Sequence, residues 1–305
     1  MKKVPIWKNV ILLVSVLVVI IIATFAWFFT RPMTSVDKMT VHVGKATYLQ
    51  ISGDNGNNWS DDLNVEFGVN RNFKEISGDG STFYAPVYEN IADKSGGFST
   101  QIVSFEQVDQ GEKYYEEVFE FRSDTAQNIY LAPESYVASV DEQGNSYIDG
   151  AIRVAFFELD DQGAEILKCI WAPNSMVEYS AATNSFTRDG NVESYYYYQK
   201  TIYPVDPDLL GTGVNNTNIA TISTANTDAF GCGYNATHKF MWTNGENMPS
   251  NAPALLTMEN ADEDNLYHKK MKIKVWIEGY DRECVSLLSG QRFNMMLQFA
   301  AQKGE

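Results

Sequence analysis

The chain has 305 residues, with 23 Lys and Arg against 39 Asp and Glu, a formal net charge of −16 at pH 7. Such a field repels nucleic acid and anionic lipid, so neither is an expected partner of the acidic part. With 44% apolar and 13% aromatic residues, the chain has the mass for one large core or two smaller ones.

The first element is Val10 to Thr30, a run without a charged residue, preceded by Lys2, Lys3 and Lys8 and closed by Arg31 and Pro32. At about 1.5 Å rise per residue, roughly 20 apolar residues span a hydrocarbon core of about 30 Å. The lysines keep the short N-terminal side in the cytoplasm, and Trp27, Phe28 and Phe29 suit the outer interface. The run exceeds the core of about 7–15 residues in an ordinary signal peptide, which favours a retained anchor. A small residue, Ala26, nevertheless offers a cleavage position, so a single-pass membrane protein and a secreted one both stay open. Residues 1–30 are thus a signal or transmembrane segment, with membrane contact through residues 10–30. Residues 31–38 form a stalk, and 39–305 an extracellular domain.

Beyond residue 38 the hydrophobic pattern has period two. Met271, Ile273, Val275 and Ile277 share one face, opposite Lys272, Lys274, Trp276 and Glu278. Phe293, Met295, Leu297 and Phe299 repeat the pattern, as do Ile152, Val154 and Phe156. Each predicts a strand with one buried face. Further strands are expected near 39–52, 101–108, 113–122, 128–140, 166–172, 195–204 and 253–258, with a turn or short helix near 282–290. Loops rich in Asn, Ser, Gly and Thr are expected over 54–82, 173–194 and 206–235. The fold class this predicts is all-β, an antiparallel sandwich or jelly roll with long loops. The paired acids, such as Asp61-Asp62, Glu116-Glu117 and Asp160-Asp161, read as solvated surface.

Tyr195 to Tyr198 put two rings on each side of a strand. Tyr196 and Tyr198 are the candidate face for a ligand or partner. Asp54-Asn-Gly-Asn-Asn-Trp-Ser-Asp61-Asp62 has the hard oxygen ligands calcium prefers, but not EF-hand spacing, and also reads as an Asx-rich turn. His42, His238 and His268 are far apart, and no HExxH occurs, so no metal site is expected. No GxSxG elbow or phosphate loop is present. Ser35-Val-Asp-Lys38 matches SxxK in letters only, beside the membrane. No cofactor and no catalytic set is therefore expected. Of the three cysteines, Cys169 sits in an apolar run, while Cys232 and Cys284 lie in turn-like contexts and could pair in an oxidising compartment.

Ala23-Thr-Phe-Ala-Trp-Phe28 resembles the export segment of the TasA/camelysin group, surface and biofilm-matrix proteins of Gram-positive bacteria. The resemblance implies cleavage after Ala26, a jelly-roll β-sandwich, and subunits that join into fibres by exchanging a strand. Ile152-Arg-Val-Ala-Phe156, Ile170-Trp-Ala-Pro173 and Val275 to Asp281 are similar to segments of uncharacterised clostridial surface proteins. The expectation is a non-enzymatic cell-envelope protein acting by contact with itself or with other envelope proteins. A carbohydrate- or calcium-binding module is one alternative. The other is an extracellular hydrolase, which would need His238 or His268 beside a carboxylate or serine.

Overall fold

The computed structural model describes residues 35–43, 49–65, 73–78, 80–92, 98–108, 113–132, 134–140, 147–172, 177–180, 182–188, 197–198, 254–279, 284 and 291–303. In chain order the strands are β1 (Ser35–Val43), β2 (Leu49–Ser52), β3 (Asp62–Val65), β4 (Glu75–Gly78), β5 (Phe83–Ala92), β6 (Phe98–Gln107), β7 (Tyr115–Ser123), β8 (Gln127–Leu131) and β9 (Tyr136–Val140). They continue with β10 (Ile152–Leu159), β11 (Glu165–Ala172), β12 (Val177–Ser180), β13 (Ser185–Arg188), β14 (Tyr197–Tyr198), β15 (Leu256–Met258), β16 (Tyr267–Glu278) and β17 (Arg292–Lys303). The described chain is nearly all β, and its one helical turn is the 3-10 turn Ile148–Ala151.

Two sheets carry the architecture. The smaller runs β15-β8-β17-β1-β3, with β9 also on β17. The larger runs β14-β11-β10-β16. The far edge of β16 is then shared between β7, which carries β2, and β4, which continues to β5 and β6. The pairs are antiparallel except β1 with β17 and β4 with β16. A separate hairpin, β12-β13, turns at Asn184 with φ 49°.

Between the sheets lies one core. Met39 and Val41 of β1 and Phe293, Leu297 and Phe299 of β17 meet Phe119, Phe121, Phe156, Met271, Ile273 and Val275 of the larger sheet. Phe299 is the contact point, with its ring 5.1 Å from Phe121 and 6.2 Å from Phe156, both edge-on. The period-two reading of β10, β16 and β17 thus describes their inner faces. This two-layer arrangement fits a β-sandwich.

The outer face of the larger sheet corrects that reading. Lys274, Trp276 and Glu278, expected on the solvent side, are buried. Trp276 joins Ala155, Phe157 and Ile170 beneath Ile76, Phe83 and Ala85 of β4 and β5, and Phe83 crosses it at 5.1 Å. The charged residues there are paired rather than solvated. Trp276 Nε1 donates to Glu278 Oε2 at 3.1 Å. Glu165 receives Lys272 at 2.7 Å and Lys274 at 2.8 Å, and the Lys274 ammonium lies 4.6 Å from the Phe157 ring centre. Burial by itself would raise the Glu165 carboxyl, but the two lysine hydrogen bonds and charges outweigh it and hold it below its ordinary value. Gly80, at φ +83°, brings the β4–β5 turn onto this face. A Cβ there would stand 3.2 Å from Ala155 Cβ and 3.3 Å from Phe157 Cζ.

Other differences from the sequence reading follow from local chemistry. The expected strand 39–52 is two strands, β1 and β2, in different sheets, and β1 begins at Ser35. Within the expected loops lie β3, β4 and the β12-β13 hairpin, each built from four-residue strands too short to set a period. The expected strand 128–140 is β8 and β9, lying end to end against the same edge of β17. Buried Ser135 sits at their break. Its hydroxyl accepts from Gln298 N at 2.9 Å and donates to Gln298 O at 3.1 Å, standing in for a backbone partner. The segment 206–235, and 282–290 except Cys284, lie outside the described residues, as do residues 10–30 and Ala26. Among the described residues no helix is long and apolar enough to cross a membrane.

Ser135→Ala removes both bonds and strands the Gln298 amide in a buried setting. The expected loss is about 1–3 kcal/mol of unfolding free energy, read from the denaturant midpoint.

Candidate functional site

The segment from β2 to β3 crosses from the larger sheet to the smaller, and the sites of interest gather around it. Ile51 and Ser60 close its base through two backbone bonds, 2.9 and 3.0 Å long. Inside, Asp54 organises the turn. Its Oδ1 accepts from Ser52 Oγ at 2.7 Å and from Asn58 N at 2.9 Å, and its Oδ2 from Asn58 Nδ2 at 2.5 Å. Ser52 Oγ in turn accepts from Gly56 N at 2.9 Å. Asn55 and Gly56 take φ of 58° and 79°, a left-handed pair that Asn and Gly accept most readily. The Ser52 hydroxyl above all, then the Asn58 backbone and side-chain donors, lower the Asp54 carboxyl to about 2.

These oxygens are the ones the calcium reading of residues 54–62 relied on. Ser52 Oγ and Asn58 N point at Oδ1 and Asn58 Nδ2 at Oδ2, filling three of the roughly four acceptor sites of that carboxylate, so a cation at Asp54 competes with them. Among the described residues no group of three His, Cys, Asp or Glu side chains is placed to hold a metal ion.

The outer side of the same loop is clamped to the larger sheet by Trp59. The Arg122 guanidinium lies 4.3 Å from the Trp59 ring centre and is itself held by Gln50 Oε1 at 2.9 and 2.6 Å. His268 meets Trp59 edge-on at 5.4 Å. Both of its ring nitrogens face carboxylates: Nδ1 to Glu120 and Nε2 to Asp262, each at 3.3 Å. His42 pairs with Asp62, its register partner across β1 and β3. Among the described residues no serine or cysteine is hydrogen bonded to either ring, and His238 lies outside them.

On the inner side, between β2, β3 and β7, a cavity of ≈ 290 Å³ opens. Ile51 and Phe119 form its floor, Leu63, Val65 and Gly53 its walls, and Asp54, Asn58, Ser60, Asn64 and Glu117 its polar rim. Glu117 is the unexpected member. Along β7 the inward positions are Tyr115, Glu117, Phe119 and Phe121, and Glu117 stands opposite Ile273, a residue of the inter-sheet core. It was expected on the surface with its neighbour Glu116. The strand's alternation sends the two acids to opposite faces.

Of the other residues singled out from sequence, Tyr196 and Cys232 lie outside the described residues. Tyr198 stands opposite Trp171 at the β11–β14 edge. Cys284 is half-buried against the inter-sheet core, and Cys169 is buried within it. Among the described residues the structure brings neither Tyr198 nor Cys169 to the cavity that the 54–62 loop lines. It gathers Glu117, the 53–61 loop and β3, of which only the loop had drawn attention.

No protein family, curated protein or solved structure matches this chain.

The Asp54 turn has a signed pH dependence. Its folded pKa is lowered, so its contribution is present above the unfolded carboxylate value and is lost as pH falls through about 2. The Asn58 amide proton, followed by NMR, is expected to titrate with a midpoint near that value. In Asp54→Ala its resonance should no longer titrate, and its hydrogen exchange should be faster.

Proposed function

We propose that this chain is a non-enzymatic cell-envelope protein whose extracellular domain works by protein–protein contact, as a matrix or fibre subunit or as an adhesive module. In this reading residues 10–30 carry the chain through the membrane with the N-terminus inside. The domain then stays anchored or is released after Ala26. The finer fold assignment, a jelly-roll-type sandwich, belongs to the same proposal and leans on the export-segment resemblance.

The observation that carries it is the placement of β1. The first strand after the apolar run is an inner member of the smaller sheet, between β3 and β17, with Met39 and Val41 fully buried. A terminal strand in such a slot is one that a neighbouring copy can supply, with the same pairing and the same buried side chains. If the anchor is retained, the five steps from Thr30 to Ser35 reach at most about 17 Å, so the domain stands directly on the outer face of the membrane. The opposite end of the larger sheet adds a second contact surface. There β6 has no strand beyond it among the described residues, and its partner β5 carries exposed Tyr88. His268 has both ring nitrogens turned to carboxylates, the kind of neighbour the hydrolase alternative asked for, while among the described residues no serine or cysteine is hydrogen bonded to it.

Deleting β1 would remove core residues, so the cleaner test fixes it in place. Thr40 and Asn64 are register partners on β1 and β3, and their side chains touch at 3.4 Å. A chain beginning at Trp27, with Cys232 and Cys284 replaced by serine, is expected to form multimers by light scattering. The Thr40→Cys/Asn64→Cys version, oxidised as a monomer, is expected to stay monomeric until reduced. Multimers that form equally well with the crosslink intact, or a Trp27 chain that never associates, contradict the strand-exchange form of the proposal.

A further inference from the structure

The cavity under β3 contains a charge that the sandwich does not need. Glu117 takes an inward position between two fully buried aromatic neighbours, Tyr115 and Phe119, and opposite core residue Ile273. Among the described residues no hydrogen bond or ion pair reaches its carboxylate. Glu117 is half-buried, so its carboxylate reaches the open cavity while its neighbours along β7 enter the core. A carboxylate beside an apolar cavity offers a counter-charge to a cation that enters from outside.

The surroundings define the rest of that visitor. Ile51, Leu63, Val65 and Phe119 offer an apolar body site, and among the described residues no lysine, arginine or histidine lines the cavity. The carboxylates of Asp54 and Glu117 at the rim exclude an anion. A cavity of about 150 Å³ accommodates benzene, so ≈ 290 Å³ admits a body roughly twice that size. The wall is also preformed. The Asp54 turn is fixed by its own donors, and Gly53 lets the chain close on Leu63, where an added Cβ would stand 2.8 Å from Leu63 Cδ2. An apolar pocket with a few convergent polar groups is the general form of a small-molecule site.

We propose that this cavity binds a small organic cation, an aliphatic or aromatic body bearing an ammonium group. The body rests on Ile51, Leu63 and Phe119, and the ammonium pairs with Glu117. Asn58, whose Nδ2 is turned to Asp54, leaves its amide oxygen as a further acceptor at the rim. The site is independent of whether the chain is anchored, cleaved or assembled into fibres.

The test is calorimetry on the full chain in lipid nanodiscs, with empty nanodiscs as the blank. The probes are phenethylammonium, its neutral isostere 2-phenylethanol, and 3-phenylpropionate. Phenethylammonium is expected to bind about tenfold or more tighter than the alcohol, as a charge-assisted pair implies, and the carboxylate not at all. Glu117→Gln should abolish that preference while leaving the alcohol unchanged. Its unliganded unfolding midpoint should stay close to that of the unaltered chain, which establishes that the variant folds. Val65→Phe, which fills the cavity, should weaken both the ammonium and the alcohol. Equal binding of ammonium and alcohol, an unchanged ammonium affinity in Glu117→Gln, or no binding of any probe overturns the proposal.

Discussion

The parallel pairing of the first strand with the last is the constraint on which the rest of the structure depends. β1 and β17 run side by side from Ser35 opposite Arg292 to Val43 opposite Phe299, with one irregularity between Val36 and Lys38. A parallel pair needs a crossover, and here the crossover is nearly the whole chain. Together the two strands carry Met39, Val41, Phe293, Leu297 and Phe299 into the core. A slip of one residue would turn that entire set outward, so the inter-sheet core fixes the register. Phe299 is where this is enforced, because it meets aromatic rings from both β7 and β10 of the opposite sheet.

The cavity is a consequence of how briefly the flanking strands are paired. β3 covers β1 only from Met39 to His42, and β2 covers β7 only from Glu120 to Ser123. Glu117 lies three residues past the end of the β2 pairing, at an uncovered stretch of the β7 edge. The loop that joins β2 to β3 must span the two sheets there. It is held rigid by Asp54 within and by the Trp59–Arg122 contact without. Edge strands this short do not seal the sandwich, and the gap between them is lined by whatever β7 points inward. The larger sheet has the opposite character, since β4 and β5 cover its outer face and give it a second apolar layer.

How much of this was legible depended on whether one strand's own alternation was enough. The inner faces of β10, β16 and β17 were readable because four or more successive residues repeat with period two. The burial of Lys274, Trp276 and Glu278 was not, because it depends on a covering layer from residues 75–92 and on Glu165 reaching across β10. Glu117 was readable in principle from Tyr115, Phe119 and Phe121, but pairing it with Glu116 as surface charge hid the parity. The contacts of His268 with Glu120 and Asp262 depend on the β7–β16 register, which sequence does not state. Ser135 likewise matters only because β8 and β9 break opposite Gln298.

The direct measurement of the central claim is amide hydrogen exchange along β1 in the full chain, resolved to individual residues. With β1 held between β3 and β17, the amides of Met39 to Val43 are predicted to exchange as slowly as those of Met271 to Ile277 in β16. Exchange of the β1 amides at the rate of exposed turns, with β16 still protected, would mean that the first strand hangs as a stalk, and would contradict the account.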